Sequence, residues 1–444
     1  MGSSTIATVC ILVASALPSG IAQTVGGLSV QVGADQPVST SLPARPLVEP
    51  HLAANPINPL HFVGAAIMSV RDEADVSQMR CVAVASFDGP RTWVTHEFSV
   101  TGCHDPWVAI LDDGTAIFVG LEIVNRAPAN LWLFRSPDGG RTWSTMPHSF
   151  GPNHDHPTLI VDRSGGRFHG ALYVASTHST RDTSGIYRER VFVARSMDGG
   201  KSFPQVTEPE VMNLHYNAMT PIVLRNGALL VPLNAHRRLV ADQRDEVPLR
   251  NRLYWVIRSD DGGAHFGVPM LITDACTGGF PSLAADRSNG ARRGRAYALC
   301  QLETGPYVTQ SGDGGDRWSD PVHVPKTPSA DAAGQGRVSS IAVNGDGIVA
   351  VSWHDRGPDP STKCWDVFVA FSGDGGETFT DAHKVSTKPS CSAAGDNGWA
   401  AERWPLGGDY SGLAAAADGT FHLLWADSRG ERYELRTAQV RVTR

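Results

Sequence analysis

The chain has 444 residues, of which 41% are hydrophobic, and it carries a formal net charge of −7 at neutral pH. This composition is typical of a large folded protein, and the negative charge argues against nucleic acid or an anionic membrane as the main partner. The 46 glycines and 29 prolines recur at intervals along the chain, which indicates many turns rather than disorder.

The N-terminus contains a short apolar segment, residues 6–17 (IATVCILVASAL). About a dozen apolar residues are too few to span a bilayer but suit the core of a signal peptide. Gly20 and Ala22 are small enough to precede a cleavage site. We therefore predict a signal peptide over residues 1–22, a secreted protein (extracellular or periplasmic) and no membrane insertion. A disordered apolar N-terminus is the alternative, because no Lys or Arg precedes the apolar segment.

The rest of the chain repeats with a period of about sixty residues. Each copy opens with two apolar runs separated by a Gly, Asn or Asp turn, and the copies lie at 49–67, 105–121, 156–176, 220–233, 280–300, 338–353 and 410–425. A third apolar run follows, and five copies then carry the pattern S-x-D-G-G-x-x-aromatic, at 136–143, 196–203, 259–266, 311–318 and 372–379. A degenerate copy of this box, SFDGPRTW, lies at 86–93.

Each repeat therefore predicts four short antiparallel strands, A to D, with the box as the turn between strands C and D. Four strands per repeat with periodic Gly and aromatic motifs are typical of propeller blades. The sequence thus predicts an all-β fold, a seven-bladed β-propeller of four-stranded antiparallel blades over residues 49–444. The last repeat ends after strand C, so its fourth strand is expected from the N-terminal segment, residues 23–48. LSVQV (28–32) is the candidate, because closing the ring would remove an open sheet edge.

The box aspartates are expected to be structural. A carboxylate in this turn can accept backbone N–H bonds across the hairpin, and the two glycines allow positive φ. Catalytic or metal-binding carboxylates are the alternative, which is disfavoured because the same turn recurs from blade to blade.

Strand direction assigns the loops to two faces. The A–B turns and the boxes lie on one face, and the B–C and D–A loops lie on the other, where the ionisable residues gather. WHDRG (353–357), WADSRG (425–430) and the pair Arg71–Asp72 place Arg beside Asp at the same loop of different blades. Such pairs suit an acidic, hydroxyl-rich ligand. An ordinary solvated loop face is the alternative.

Six cysteines follow Cys10, and an even number in an exported chain favours disulfides. The strand register brings them together in pairs at the ends of strands on the loop face. We predict the pairs Cys81–Cys103, Cys276–Cys300 and Cys364–Cys391.

The boxes resemble those of bacterial sialidases and related Asp-box (BNR-repeat) glycosidases, and repeats of this type cover residues 49–442. GDYSGLAAAADGTFHLLW (408–425) is similar to the sialidase segment in which a Tyr-Ser pair begins a strand. The resemblance implies that Tyr410 is the nucleophile of a retaining glycoside hydrolase and that Asp72 is its acid/base. Asp409 and Glu402 are candidates for the carboxylate that activates Tyr410.

The sequence departs from the family at several positions. Val48 stands where sialidases have the first arginine of a carboxylate-gripping triad, and Ala218 stands where they have the glutamate that polarises the tyrosine. Substrate-binding arginines would then have to come from other positions, and the candidates are Arg71, Arg337, Arg356 and Arg429. Asp409 is a further candidate for substrate binding. Sialidases also have six blades, so a six-bladed ring of the sialidase type is the alternative fold.

These observations favour a secreted, glycan-directed propeller, a sialidase-like retaining glycoside hydrolase acting on acidic sugars. A propeller that binds glycans or proteins without catalysis is one alternative, and a polysaccharide lyase is another. We expect no cofactor. His154-Asp155-His156 raises the question of zinc, but no HExxH or CxxC motif accompanies it, so we predict no metal site.

Overall fold

The structure, a computed structural model, is a seven-bladed β-propeller. It describes residues 23–25, 27–38, 41–42, 44–70, 72–181, 187–209, 214–218, 220–237, 253–277, 282–302, 305–325, 337–356, 364–391, 398–430 and 432–444. Seven separate antiparallel sheets follow one another along the chain, which confirms the predicted fold class and makes the six-bladed alternative wrong. The predicted signal peptide, residues 1–22, lies outside the described residues.

Each blade has the predicted strand order A-B-C-D. Strands A of blades 1 to 7 are Leu47–Ala54, Cys103–Ile110, His154–Val161, Leu214–Ala218 with Ile222–Val223, Ser282–Ala285, Arg337–Val343 and Gly412–Ala415. Strands B are Phe62–Met68, Ala116–Val124, Leu172–Arg181, Leu229–Arg237, Ala296–Leu302, Val349–Arg356 and Phe421–Asp427. Strands C are Arg80–Ser86, Ala127–Ser136, Tyr187–Ser196, Leu253–Ser259, Gly305–Ser311, Cys364–Ser372 and Glu434–Thr443. Strands D are Val94–Glu97, His148–Ser149, Gln205–Thr207, Met270–Thr277, Val322–His323, His383–Lys384 and Leu28–Val32.

The core lies between neighbouring blades. Strands B are nearly continuous apolar runs because both of their faces are covered, and every residue of Phe62–Met68 is buried. Large aromatic side chains fill the wider spaces between blades, and Trp353, Trp365 and Trp425 are fully buried. Strands A pack against one another around the axis, and strand A of blade 7 packs against strand A of blade 1.

The N-terminal segment closes the ring. Leu28–Val32 pairs antiparallel with Glu434–Thr443, with Val30 opposite Val442. Two further short strands, Gln23–Val25 and Gln36–Pro37, extend the same sheet. Blade 7 is therefore assembled from two distant segments of the chain, and the N-terminal segment covers the edge of strand C, Glu434–Thr443.

The Asp boxes are structural turns, as predicted. In the box of blade 2, Asp138 Oδ1 accepts the Ser136 hydroxyl at 2.7 Å and the Thr142 backbone N–H at 2.9 Å. The same two contacts recur at Asp88, Asp198, Asp261, Asp313 and Asp374. Burial alone would raise the pKa of Asp138, but these hydrogen bonds to the carboxylate outweigh burial and lower the pKa to about 2. The degenerate copy at Asp88 thus forms the same turn.

The three predicted disulfides are all present, and each joins residues close in sequence. The Cα–Cα distances are 5.3 Å for Cys81–Cys103, 5.8 Å for Cys276–Cys300 and 4.1 Å for Cys364–Cys391. The described residues contain a 3₁₀ helix, Glu73–Gln78, and an α-helix, Trp399–Arg403. Neither has the length or the apolar character that a membrane-crossing helix needs.

Candidate functional site

Three neighbouring blades begin strand A with the same irregularity. Glu49, Asp105 and His156 have φ values of 53°, 48° and 48°, and each precedes a proline. The pairing of strand A with strand B shifts register at each point. Positive φ is rare for a residue with a side chain, and a following proline restricts the backbone further. Strained positions of this kind concentrate at functional sites. The start of strand A in blades 1 to 3 is therefore a candidate for the functional site.

The innermost strands enclose a cavity of about 200 Å³. Residues of strand A, or of the loop before it, line the cavity from all seven blades, among them His51, Asp105, His156, Asp409 and Tyr410. Most of them belong to the first half of strand A or to the loop before it. The cavity therefore lies toward the face of the B–C and D–A loops, opposite the Asp-box turns.

Tyr410 lines this cavity, and Glu49 lies beside Tyr410. Glu49 is 3% exposed, and its Oε1 accepts the Asp409 backbone N–H at 3.3 Å. The Tyr410 hydroxyl is buried beside Glu49 but makes no hydrogen bond of standard geometry within the described residues. Burial raises the pKa of Tyr410, and the Glu49 carboxyl group raises it further. Burial and the nearby Asp105 also raise the pKa of Glu49 well above its usual value, so both groups favour their protonated forms.

An aromatic wall continues from Tyr410. The His51 ring stacks on Trp107 with 3.7 Å between centroids and 23° between planes. The Trp107 centroid lies 5.4 Å from that of Tyr410. Burial lowers the pKa of His51 to about 3, so this imidazole is neutral, and its Nδ1 accepts the Val108 backbone N–H at 3.3 Å. The cavity thus presents flat ring faces beside its carboxyl groups.

A second polar group faces the cavity from blades 2 and 3. The His156 backbone N–H donates to Asp155 Oδ1 at 3.0 Å and to Asp105 Oδ2 at 3.3 Å. The His156 Nδ1 atom lies 3.2 Å from Asp155 Oδ1. Burial alone would lower the pKa of His156, but the neighbouring carboxylates outweigh burial and raise the pKa to about 10. Burial raises the pKa of Asp105 to about 6. Asp105, Asp155 and His156 each have one potential ligand atom within 4.8 Å of those of the other two residues, so these three side chains have the dimensions of a metal site.

The helix Trp399–Arg403 precedes strand A of blade 7 and carries a cation. Arg403 Nη2 lies 3.6 Å from Asp409 Oδ2, and the two side chains are 51% and 39% exposed. The Arg403 guanidinium also lies 5.2 Å from the Trp404 ring centroid. Burial lowers the pKa of His104 to about 4, and the Arg403 charge adds to this effect. An exposed ion pair at this distance contributes little stability, which leaves Arg403 able to bind another anion.

Gly408 sets the distance between this loop and Glu49. A Cβ at Gly408 would lie 2.8 Å from the Glu49 Cα. We expect Gly408→Ala to displace Glu49 from Tyr410 and to reduce the free energy of unfolding by about 1–3 kcal/mol, as overpacking does. Urea denaturation measures the change. Gly345→Ala is the matched control, because a Cβ at Gly345 meets nothing within 4 Å. Equal destabilisation by the two substitutions would contradict the prediction.

The structure brings together two of the residues that the sequence predicted. Tyr410 and Asp409 both line the cavity. Asp72 lies in the B–C loop of blade 1, where its exposed carboxylate accepts the Ala74 backbone N–H at 2.9 Å. It caps the 3₁₀ helix Glu73–Gln78 and is not among the residues that line the cavity.

Of the four predicted arginines, the structure describes the side chains of Arg356 and Arg429, and neither lines the cavity. Arg429 Nη1 lies 3.1 Å from Asp35 Oδ1 in an ion-pair group at the ring closure. Arg356 ends strand B of blade 6, and Arg337 begins strand A of the same blade with a side chain that is not described. Arg71 lies outside the described residues. Within the described part of the chain, no arginine lines the cavity.

Sequence reasoning assigned no role at the site to four ionisable residues that line the cavity or lie next to a lining residue. These residues are Glu49, Asp105, Asp155 and His156. The available signal is an ionisable residue before proline at the start of strand A in three successive repeats, VEP (48–50), HDP (104–106) and DHP (155–157). Residues so distant in sequence meet only because the blades curve around one axis.

Comparison with known proteins finds no matching protein-family model and no matching curated protein. Among solved structures, a protein of unknown function from Dyadobacter fermentans is 16% identical, with 77% of this chain and 95% of that chain covered and a TM-score of 0.49. Trypanosoma rangeli sialidase in complex with sialic acid is 15% identical, with 78% and 55% covered and a TM-score of 0.48. Hadza microbial sialidase Hz136 is 16% identical, with 81% and 72% covered and a TM-score of 0.49.

The chain therefore spans about half the length of the trypanosomal enzyme. Solved structures similar to this chain include sialidases, at low identity. Values of this size assign neither a family nor a reaction.

Proposed function

We propose that the protein acts on glycans and that its axial cavity is the site of a retaining glycoside hydrolase, in which Tyr410 attacks the anomeric carbon. One observation carries the proposal: the Tyr410 hydroxyl is buried beside the Glu49 carboxyl group, opposite the Asp-box face. A phenol is a weak nucleophile until a neighbouring base accepts its proton, and Glu49 is placed to do so. Asp409 and Glu402 fit this role less well, because Asp409 pairs with Arg403 and Glu402 is exposed.

Two features support an acidic sugar as the substrate. The stacked rings of His51 and Trp107 suit the apolar face of a pyranose, since aromatic side chains combine large apolar surface with defined geometry. Arg403 supplies a guanidinium next to Asp409, which lines the cavity, and a substrate carboxylate could replace Asp409 as its partner. The acid/base role stays with Asp72, whose carboxylate would have to reach the leaving group from the B–C loop. The proposed signal peptide and the three disulfides support secretion.

Hydrolysis of a fluorogenic α-sialoside by the full chain tests the reaction. We expect the wild-type protein to release the fluorophore and Glu49→Gln to lower kcat at least ~100-fold, the range of general acid–base contributions. Glu402→Gln is the matched control and should keep the wild-type rate, because Glu402 is exposed on the short helix. Equal rates for the two variants would remove Glu49 from the mechanism.

The pH dependence follows from the environment of Glu49. The carboxyl group must be ionised to accept the Tyr410 proton, so kcat/KM should fall as the pH drops through the Glu49 pKa. Burial, together with Asp105 and Asp409, raises that pKa well above 4.5. The acidic limb of the kcat/KM profile should therefore lie well above 4.5. A profile whose acidic midpoint lies at or below about 4.5 would show that a different carboxylate is the base.

Glycan binding without hydrolysis is the second candidate function. It is favoured by the raised pKa values of Tyr410 and Glu49, which keep both groups protonated and so deplete the phenolate and the carboxylate that the reaction needs. It is also favoured by the lack of an arginine among the described residues that line the cavity. Retention on a glycan array with no product release would identify this function.

A further inference from the structure

We propose that Asp105, Asp155 and His156 bind one divalent transition-metal cation at the axial cavity. One potential ligand atom from each residue lies within 4.8 Å of the other two. Zinc and neighbouring metals accept imidazole together with carboxylates, and three protein ligands leave a coordination position for water or substrate. The site goes beyond the proposed hydrolysis, because cation binding does not require Tyr410 to be a nucleophile.

The distances agree with such a site. Zinc binds imidazole nitrogen and carboxylate oxygen at about 2.0–2.2 Å, so two ligands of a tetrahedral ion are roughly 3.4 Å apart. The His156 Nδ1 atom is 3.2 Å from Asp155 Oδ1. The His156 backbone N–H holds Asp155 at 3.0 Å and Asp105 at 3.3 Å. Hydrogen bonds of this kind orient ligands around a metal.

A second, independent observation comes from Tyr410. Its hydroxyl is buried beside Glu49 but makes no hydrogen bond of standard geometry among the described residues, and Tyr410 lines the same cavity as Asp105 and His156. A buried hydroxyl without a partner is unfavourable. A water molecule on a cation bound at Asp105 would supply that partner, and a cavity of about 200 Å³ has room for it, since one water occupies about 30 Å³.

The neighbouring histidine explains why the sequence did not reveal this group. His154 alternates with His156 along the strand, but its Nδ1 bonds to the Ser176 hydroxyl at 2.8 Å and its ring stacks on His178 at 4.6 Å. His154 is therefore occupied in the core of blade 3. The third ligand of the proposed site is Asp105 from the adjacent blade, which no local motif contains.

Isothermal titration of the full chain with ZnCl₂ tests the site. Asparagine tolerates positive φ better than most residues, so Asp105→Asn and His156→Asn retain the bulges. We expect one Zn²⁺ per wild-type chain and at least ~100-fold weaker binding in each variant, beyond the ~10–100-fold typical of changes outside the ligand set. His169→Asn is the matched control, because His169 pairs with Asp112 at 3.3 Å outside the cavity lining, and it should bind as the wild type does.

A second readout keeps the proposal testable if one variant is unstable. Cobalt(II) bound by the wild-type chain should give a visible absorption band, and Asp155→Asn should abolish this band. Asp155 has an ordinary φ, so the variant is expected to fold, and thermal melting checks that it does. Zinc affinity unchanged in all three site variants would overturn the proposal. So would the lack of any saturable zinc binding by the wild-type chain, or binding of Ca²⁺ alone.

Discussion

Tyr410→Phe should abolish hydrolysis of a sialoside and leave its binding nearly unchanged. The substitution removes the attacking oxygen but retains the ring, whose centroid lies 5.4 Å from that of Trp107. Loss of a covalent nucleophile lowers kcat on the order of 10³-fold or more. Single-turnover kinetics measures the chemical step, and equilibrium titration with the sialoside measures binding.

Tyr173→Phe is the matched control for this experiment. The Tyr173 hydroxyl is also buried without a hydrogen-bond partner among the described residues, but the ring packs between blades 3 and 4 and does not line the cavity. Its loss should leave kcat unchanged. Full turnover by Tyr410→Phe would exclude the tyrosine mechanism, and weakened binding by that variant alone would favour a purely binding role.

Asp35→Ala should produce the largest loss of stability among single substitutions away from the cavity. The Asp35 side chain is fully buried, and Oδ1 accepts Arg436 Nε at 2.9 Å and Arg429 Nη1 at 3.1 Å. Its Oδ2 accepts the Thr387 hydroxyl at 2.9 Å. Removing the carboxylate leaves the largely buried Arg436 guanidinium without its partner and leaves Arg429 paired with Asp427 alone. Breaking a buried ion pair in this way costs about 3–5 kcal/mol. Urea denaturation followed by circular dichroism measures the free energy of unfolding.

The same carboxylate predicts how stability varies with pH. Burial would raise the pKa of Asp35, but bonds from Thr387 and Arg436 outweigh burial and lower it below 3.8. A carboxyl group with a lowered folded-state pKa stabilises the fold above its unfolded pKa, and the contribution is lost as the pH falls through the folded pKa. Wild-type stability should therefore decline below about 3.8, and Asp35→Asn should lack this component. The exposed Asp320→Ala is the control; an equal effect there would contradict the prediction.

The fold could be predicted because its determinants are local and repeated. Short apolar runs separated by turns define the strands. The box fixes the C–D turn of a blade through contacts within a few residues, as at Ser136, Asp138 and Thr142. Once the strands are in register, the cysteine pairs and the closing strand Leu28–Val32 follow from which strand ends are adjacent.

The site could be predicted only in part. Tyr410 and Asp409 were found because one continuous segment carries them. Glu49 and His156 were not given roles, because their proximity depends on bulges and on the curvature of the ring. Arg429 has the residue type of a substrate ligand, but its partner Asp35 comes from the far end of the chain, and no spacing rule links the two.

The closing strand also has a consequence for biogenesis. Residues 28–32 are synthesised early, but their partner strand, Glu434–Thr443, follows about 400 residues later in the chain. Until Glu434–Thr443 has been synthesised, the strand Leu28–Val32 remains unpaired and exposes apolar side chains that invite pairing with other chains. We therefore expect the pairing of these two strands to be a late and slow step of folding, since it closes a loop of about 400 residues.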